Sequence, residues 1–303
     1  MAHDYANADD LLERIAFLGD RTVYLIGSAV TAPSIPDAEG VIELVREALA
    51  RPRDRERLNQ ALELQPENRY EATFRHLLNV RGQDFANDMI RRAVLAARRP
   101  TERFPRLPTA VDERVGSDLE DDADGWQLTP GIAALGEILA RTSGVRRPTV
   151  ISPNFDPLVK VAIRLAGGAA VSVAFDGDGG LENLGTTGCL VGQIHGDWCR
   201  GDTLHARGQL KRDRPVLAAS LARLLGERTL VVIGHDGRAD ILTRALIDQV
   251  RGSQAPIDVV WTFAEEDGAV IAARYPTLLE ALAPGIEASS ADPGLVGRFR
   301  RVG

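Results

Sequence analysis

Six short apolar runs, separated by longer helix-like stretches, constrain what this chain can fold into more than any other feature. They lie at 22–27, 148–152, 169–175, 189–195, 229–234 and 257–263. Most are continuously apolar, which is the pattern of strands buried on both faces of a parallel sheet. Helix-like segments follow them at 40–50, 156–166, 214–225, 238–251 and about 276–283. The alternation predicts an α/β fold, a Rossmann-like doubly wound parallel sheet of about six strands.

One stretch breaks the pattern. Residues 45–145 contain no convincing strand, whereas Tyr70, Phe74, Leu77 and Leu78, and then Phe85, Met89, Ala93, Val94 and Ala97, recur at helical spacing. This predicts an all-helical insertion at 45–145 between the first and second of the six strands. The sheet domain is then assembled from 1–44 and 146–285, and 286–303 reads as a tail or linker, because Ser289–Gly294 and Arg298–Arg301 leave the apolar pattern. Within the insertion, Asp118 to Gly125 reads as a short acidic loop facing solvent. The Arg-rich stretches at 51–57 and 91–99 read as solvated faces.

Composition excludes several function classes. A formal charge of −7 argues against direct, sequence-independent nucleic-acid binding. The two cysteines, Cys189 and Cys199, form no metal-binding spacing, so no zinc site is expected, and a disulfide is unpromising. No apolar run reaches membrane-spanning length and the first twenty residues are charged, so the expectation is a cytoplasmic protein with no membrane partner.

The residues that carry chemistry sit where the runs end. In open α/β sheets ligands bind beyond the carboxyl ends of the strands. Gly27-Ser28-Ala29-Val30-Thr31 follows the first run, and a glycine there lets backbone N–H groups approach a diphosphate. Pro36-Asp37 then suggests a shaped pocket, or Asp37 caps the next helix. Asn154 follows the second run and can hold a ribose hydroxyl or a water, while Asp156 can cap a helix. His195 ends the fourth run, and Gly196 after it leaves one side of the imidazole open. An imidazole titrates near 6.5, which suits proton removal at neutral pH. Gly234-His235 follows the fifth run, with Asp240 beyond it. His3, His76 and His205 read as structural or surface residues.

Together these motifs resemble the sirtuin family, and more closely the bacterial sirtuin-like branch found in anti-phage defence proteins. The phosphate loop matches in Gly27–Thr31 and Ser34-Ile35-Pro36-Asp37, the Thr-x-Asn-x-Asp motif in Ser152–Asp156, and the His-Gly motif in His195-Gly196. Gly234–Asp240 resembles a late Gly-x-x-Gly-x-x-Asp segment of that branch. The zinc-binding cysteine quartet of the deacylases is absent, and Ala29 stands where their loop has a glycine.

The resemblance implies NAD as substrate. Gly27, Ser28, Ala29, Thr31, Pro36, Asp37, Asp156, Gly196, Gly234, His235 and Asp240 would line its site; His235, at a strand end after Gly234, reads as an adenosine-side pocket residue or a plain loop residue. It implies catalysis by His195 and Asn154, and an NAD glycohydrolase serving as the toxic effector of an abortive-infection system. It further implies a homo-oligomer with a sensor or nucleotide-triphosphatase module, on the same longer chain or as a partner protein. Two alternatives stand beside it: protein deacylation or ADP-ribosyl transfer, and a non-catalytic NAD or ADP-ribose sensor. A dehydrogenase is disfavoured, because the Gly-x-Gly-x-x-Gly fingerprint is missing.

Overall fold

A computed structural model describes residues 5–6, 21–142, 148–181, 188–210, 214–225, 228–237, 241–252, 258–265, 267–280 and 299–302. Its centre is an all-parallel sheet. All six expected runs form strands: β2 (Thr22–Ile26), β3 (Thr149–Ser152), β4 (Ala170–Ala174), β5 (Cys189–Gln193), β6 (Thr229–Ile233) and β7 (Asp258–Thr262). Two shorter strands, β1 (Tyr5–Ala6) and β8 (Phe299–Val302), extend it, and the spatial order is β1-β8-β7-β6-β2-β3-β5-β4. The sheet thus exceeds the expected six strands by two, and β8 falls inside the expected tail. Strands of two and four residues, the latter half arginine, are too brief to register as apolar runs.

The continuous apolar pattern is explained by two hydrophobic cores, one on each face of the sheet. Tyr24, Ile26, Val150, Val191, Val231 and Val260 point into one. Their chain neighbours Val23, Leu25, Ile151, Leu230, Val232, Val259 and Trp261 point into the other. Alternate residues of one strand face opposite ways, so both sets must be apolar when both faces are covered.

Helices between β2 and β3 cover the first face. They are α1 (Ala38–Ala48), α2 (Pro52–Glu63), α3 (Arg69–Val80), α4 (Gln83–Leu95), α5 (Glu113–Asp121) and α6 (Pro130–Thr142). Ile42, Leu58, Phe74, Leu77, Met89 and Ile132 from these helices share a single core with strand residues and with Val161 of α7 (Leu158–Leu165). A short helix, α8 (Arg207–Leu210), follows β5. The opposite face is covered by α9 (Pro215–Leu225) and α10 (Ile241–Gly252), through Leu217, Leu221, Leu242 and Leu246. A last helix, α11 (Gly268–Arg274), is followed by helical residues 276–280. Within the insertion the described residues contain one antiparallel bridge, Arg98 to Trp126, and no strand.

Two surface expectations need correction. The acidic stretch at Asp118 is the end of α5 rather than a solvated loop, and its Glu120 is only 1% exposed. Its acids face cations from elsewhere in the chain: Asp118 meets Arg103, Asp121 meets Arg164, Asp122 meets Arg98, and Glu120 meets Lys160. Arg98, expected on a solvated face, is likewise buried, with its guanidinium over the Trp126 and Phe104 rings. Cys189 and Cys199 are buried thiols, not a disulfide. Among the described residues no helix is long and apolar enough to cross a membrane.

Candidate functional site

Four adjacent parallel strands deliver the candidate residues to one edge of the sheet. In the order β6-β2-β3-β5, their carboxyl ends lead into Gly234-His235, Gly27-Ser28-Ala29, Asn154 and His195. Ser152 pairs with Gln193 across β3 and β5. Asn154 and His195 each follow two residues after that pair, in the turns beyond the neighbouring strands β3 and β5. The chain reverses its direction across the sheet here, because α1 leaves β2 on one face and α10 leaves β6 on the other. Ligands of open α/β sheets settle at such a reversal.

The first loop is built differently from the expectation. Gly27 N–H donates to the Ile233 carbonyl at 2.9 Å, and Ala29 N–H to the Gly234 carbonyl at 3.2 Å. Val30 N–H and Thr31 N–H donate to Gly27 and Ser28 carbonyls within the turn. Of the residues expected at the diphosphate, Gly27, Ala29 and Thr31 therefore use their amides inside the protein. A Cβ on Gly27 would lie 2.2 Å from the Gly234 carbonyl oxygen, so the glycine is required by contact between two loops. Ser28 and Ala29 themselves are exposed. Thr31 is buried and its hydroxyl donates to the Ser28 carbonyl at 3.1 Å. Asp37 is exposed and accepts from Gly40 N–H at 2.9 Å, which is the capping role weighed for it. Gly27→Ala is expected to destabilise the fold by about 1–3 kcal/mol through overpacking, whereas Gly208→Ala, at a site with nothing within 4 Å, should not. Thermal unfolding of the two variants checks this.

On β3, Ser152 Oγ donates to the Ile26 carbonyl at 2.7 Å and accepts from Asn154 N–H at 3.1 Å. One hydroxyl thus ties the end of β2 to the start of the Asn154 turn. Asn154 is half-buried. Asp156 accepts from Leu158 N–H at 3.1 Å and so caps α7. Burial, with the Asp197 charge adding to it and the amide donation opposing it, pushes the Asp156 carboxyl up to about 6. A raised carboxylate pKa favours the folded state when protonated, so this stabilisation is lost as pH rises from about 4 through about 6. Asp156→Asn keeps the cap and removes the charge. It should raise stability at neutral pH by about 1–3 kcal/mol, a gain absent below about pH 4. Urea unfolding at the two pH values tests the sign.

His195 is buried, at 8% exposure, rather than open on one side. Gly196 adopts φ +99°, and a Cβ there would lie 2.1 Å from the Asp202 carbonyl oxygen. The glycine therefore makes room for the returning chain. That chain fixes the histidine backbone, with Leu204 N–H donating to the His195 carbonyl at 2.8 Å.

His205 was expected to be structural or at the surface, and it is buried at 2% exposure beneath this turn. Its ring stacks on Phe74 of α3 with centroids 3.8 Å apart. Tyr70 Oη lies 3.0 Å from Nδ1 and Thr203 Oγ1 lies 2.7 Å from Nε2. Thr203 Oγ1 donates to Asn87 Oδ1 at 2.8 Å, so it accepts from His205, which assigns the proton to Nε2. Burial, and secondarily His195, hold the His205 pKa well below the ordinary histidine value. A neutral imidazole therefore sits near His195. Asn87 also donates to Asp202 at 3.0 Å, and Gln83 to the Thr203 carbonyl at 2.9 Å, so α3 and α4 brace the turn after His195.

A second buried group braces the other side of that turn. Glu120 accepts from Lys160 Nζ at 2.6 Å, from Trp198 Nε1 at 2.9 Å and from Arg200 at 3.2 Å. Arg200 also donates to Asp197 at 3.0 Å. Glu120, Asp197 and Cys199 place ligand atoms within 4.8 Å of one another. Lys160 and Arg200 already balance the two carboxylates, and burial first, then Asp197 and Glu120, push the Cys199 thiol up, away from a metal-binding thiolate.

After β6, His235 is half-buried, with Nε2 3.3 Å from Thr243 Oγ1 and its ring stacked on Trp261 at 6.0 Å. Asp240 lies outside the described residues. Pro36 and Asp37 stand at the start of α1, where Asp37 is the N-cap.

Sequence reading missed Gln193, His205, Tyr70, Asn87 and Glu120. Two carried a usable signal: Gln193 is a polar residue inside an apolar strand, and Lys160, the partner of Glu120, is a charge inside an apolar helix. No protein-family model matches the chain, and no curated protein matches it.

Proposed function

We propose that this protein is an NAD glycohydrolase, cleaving NAD and water to nicotinamide and ADP-ribose. The observation that carries the reading is the delivery of Gly27–Ala29, Asn154, His195 and Gly234 to one edge of four adjacent strands, at the point where the sheet reverses direction. In the reaction the bond between the nicotinamide nitrogen and C1′ of the ribose breaks, and its electron pair leaves with neutral nicotinamide. The sugar passes through an oxocarbenium-like state, as in glycoside hydrolysis. Water adds to C1′ and His195 takes its proton. Asn154 orients the ribose or the water.

The reading draws on the sirtuin-like pattern of the sequence as well as on this geometry, and it includes the defence role, the oligomer and the associated sensor module. Purified protein incubated with NAD should release nicotinamide stoichiometrically with ADP-ribose. Absence of release from every assembly state of the protein defeats the proposal. One observation favours a second reading: Gly27, Ala29, Val30 and Thr31 spend their amides internally, leaving fewer donors for a diphosphate. Tight NAD binding without turnover would select a non-catalytic sensor, and release that requires an acylated peptide would select deacylation.

A further inference from the structure

We infer that Gln193 is a positioning residue that sets Asn154 in register with His195, an inference that rests on the NAD-cleaving reading. Gln193 is the last residue of β5, two before His195, and is 1% exposed. Its side chain does not stay with its own strand. The Nε2 amide donates to three consecutive carbonyls of the turn after β3: Asn154 at 3.4 Å, Phe155 at 2.8 Å and Asp156 at 3.1 Å. Three carbonyl oxygens facing one point repel one another unless a donor stands between them. An amide nitrogen with two hydrogens is such a donor, and the backbone from 154 to 156 curls around it.

The two proposed catalytic residues are thereby linked by a short path. His195 is joined through two peptide units to Gln193, and the Gln193 amide grips the backbone of Asn154. The main-chain pairing of β3 with β5 ends at Ser152 and Gln193. Beyond that pair Ile194 N–H still donates to the Ser152 carbonyl at 2.9 Å, and the Gln193 side chain and Trp198 N–H, which donates to the Phe155 carbonyl at 3.0 Å, then join the two turns. The Gln193 Oε1 atom is buried without a hydrogen-bond partner. A purely structural position would be served better by an apolar residue, because an unmade buried hydrogen bond carries a cost. The glutamine is retained where its donor end reaches the Asn154 turn.

The test is a double-mutant cycle on nicotinamide release, using Gln193→Met, Asn154→Ala and the double variant in the full chain. Methionine conserves volume and removes the donor. Gln193→Met should lower kcat by about 10–100-fold, the scale expected from misplacing a reacting group, while KM for NAD moves by less than about threefold. On the Asn154→Ala background the same substitution should change kcat by less than about threefold, because residues acting through one another are not additive. Equal factors on both backgrounds would overturn the inference. Amide hydrogen exchange at Trp198 separates this from failure of the NAD reading. If wild type releases no nicotinamide, roughly tenfold faster Trp198 exchange in Gln193→Met still supports the grip on the turn, and unchanged exchange overturns it.

Discussion

His195→Ala is expected to reduce nicotinamide release by about 10²–10⁴-fold, the contribution typical of a positioned general base. That corresponds to about 3–5 kcal/mol of transition-state stabilisation. KM for NAD should change little, since in the proposed reaction the imidazole acts on the water and not on the dinucleotide. The expectation rests on how firmly the residue is placed. Its carbonyl is held by Leu204 N–H at 2.8 Å, the glycine after it is packed against Asp202, and Thr203 and Asp202 are held by Asn87. The neighbouring His205 has its Nδ1 taken up by Tyr70 Oη at 3.0 Å, and burial holds its pKa well below the ordinary value, so it is a poor second base. Steady-state kinetics with NAD, beside a thermal midpoint showing that the variant is folded, settles the matter. Undiminished turnover in folded His195→Ala removes the imidazole from the mechanism.

The largest stability effect should come from Glu120→Gln. Removing one partner of a buried ion pair leaves the other charge buried and uncompensated, at a cost of about 3–5 kcal/mol. Against a typical total of about 5–15 kcal/mol, this brings the protein near the edge of folding. Lys160 is the charge left behind, and Trp198 Nε1–H and Arg200 are left donating to a neutral, weaker acceptor. Lys160→Met made together with Glu120→Gln should recover much of the loss, because the lysine no longer needs a counter-charge. The pair also makes a statement about acid. Burial alone would raise the Glu120 carboxyl, but Lys160 and Arg200 outweigh it and hold the pKa below the usual value. A depressed carboxylate contributes stability above its unfolded pKa and loses it as pH falls through the folded one. Wild type should therefore lose more stability on acidification than the double variant. Urea unfolding at neutral and acid pH measures both effects, and an additive double variant would contradict the coupling.

The strands were legible because burial on both faces leaves an unbroken apolar run, and all six runs fall within a residue or two of β2 to β7. The insertion was legible for the same kind of reason, since Phe74, Leu77, Met89 and Val94 mark a helical stripe that is buried. What stayed hidden depends on partners far away in the chain. Nothing local distinguishes Glu120 from Asp118 or Asp121, because its burial is decided by Lys160 forty residues on. Arg98 is hidden likewise by Asp122. At the candidate site, the strand ends were readable from the last apolar residue of each run. The use of the Gly27 and Ala29 amides was not, because their acceptors belong to β6 and the turn after it, some two hundred residues later. Gln193 shows the same limit, as a polar break in a strand announces a partner without naming it.

The parallel sheet separates the two ends of its strands. At the rim where the strands begin stand Thr22, Thr149 and Thr229, all buried, and none of the candidate site residues. The opposite rim holds Gly27, Asn154, His195 and Gly234. Adaptation to a new temperature and adaptation to a new reaction can therefore draw on separate sets of positions in this chain, and a lineage can retune one rim while conserving the other.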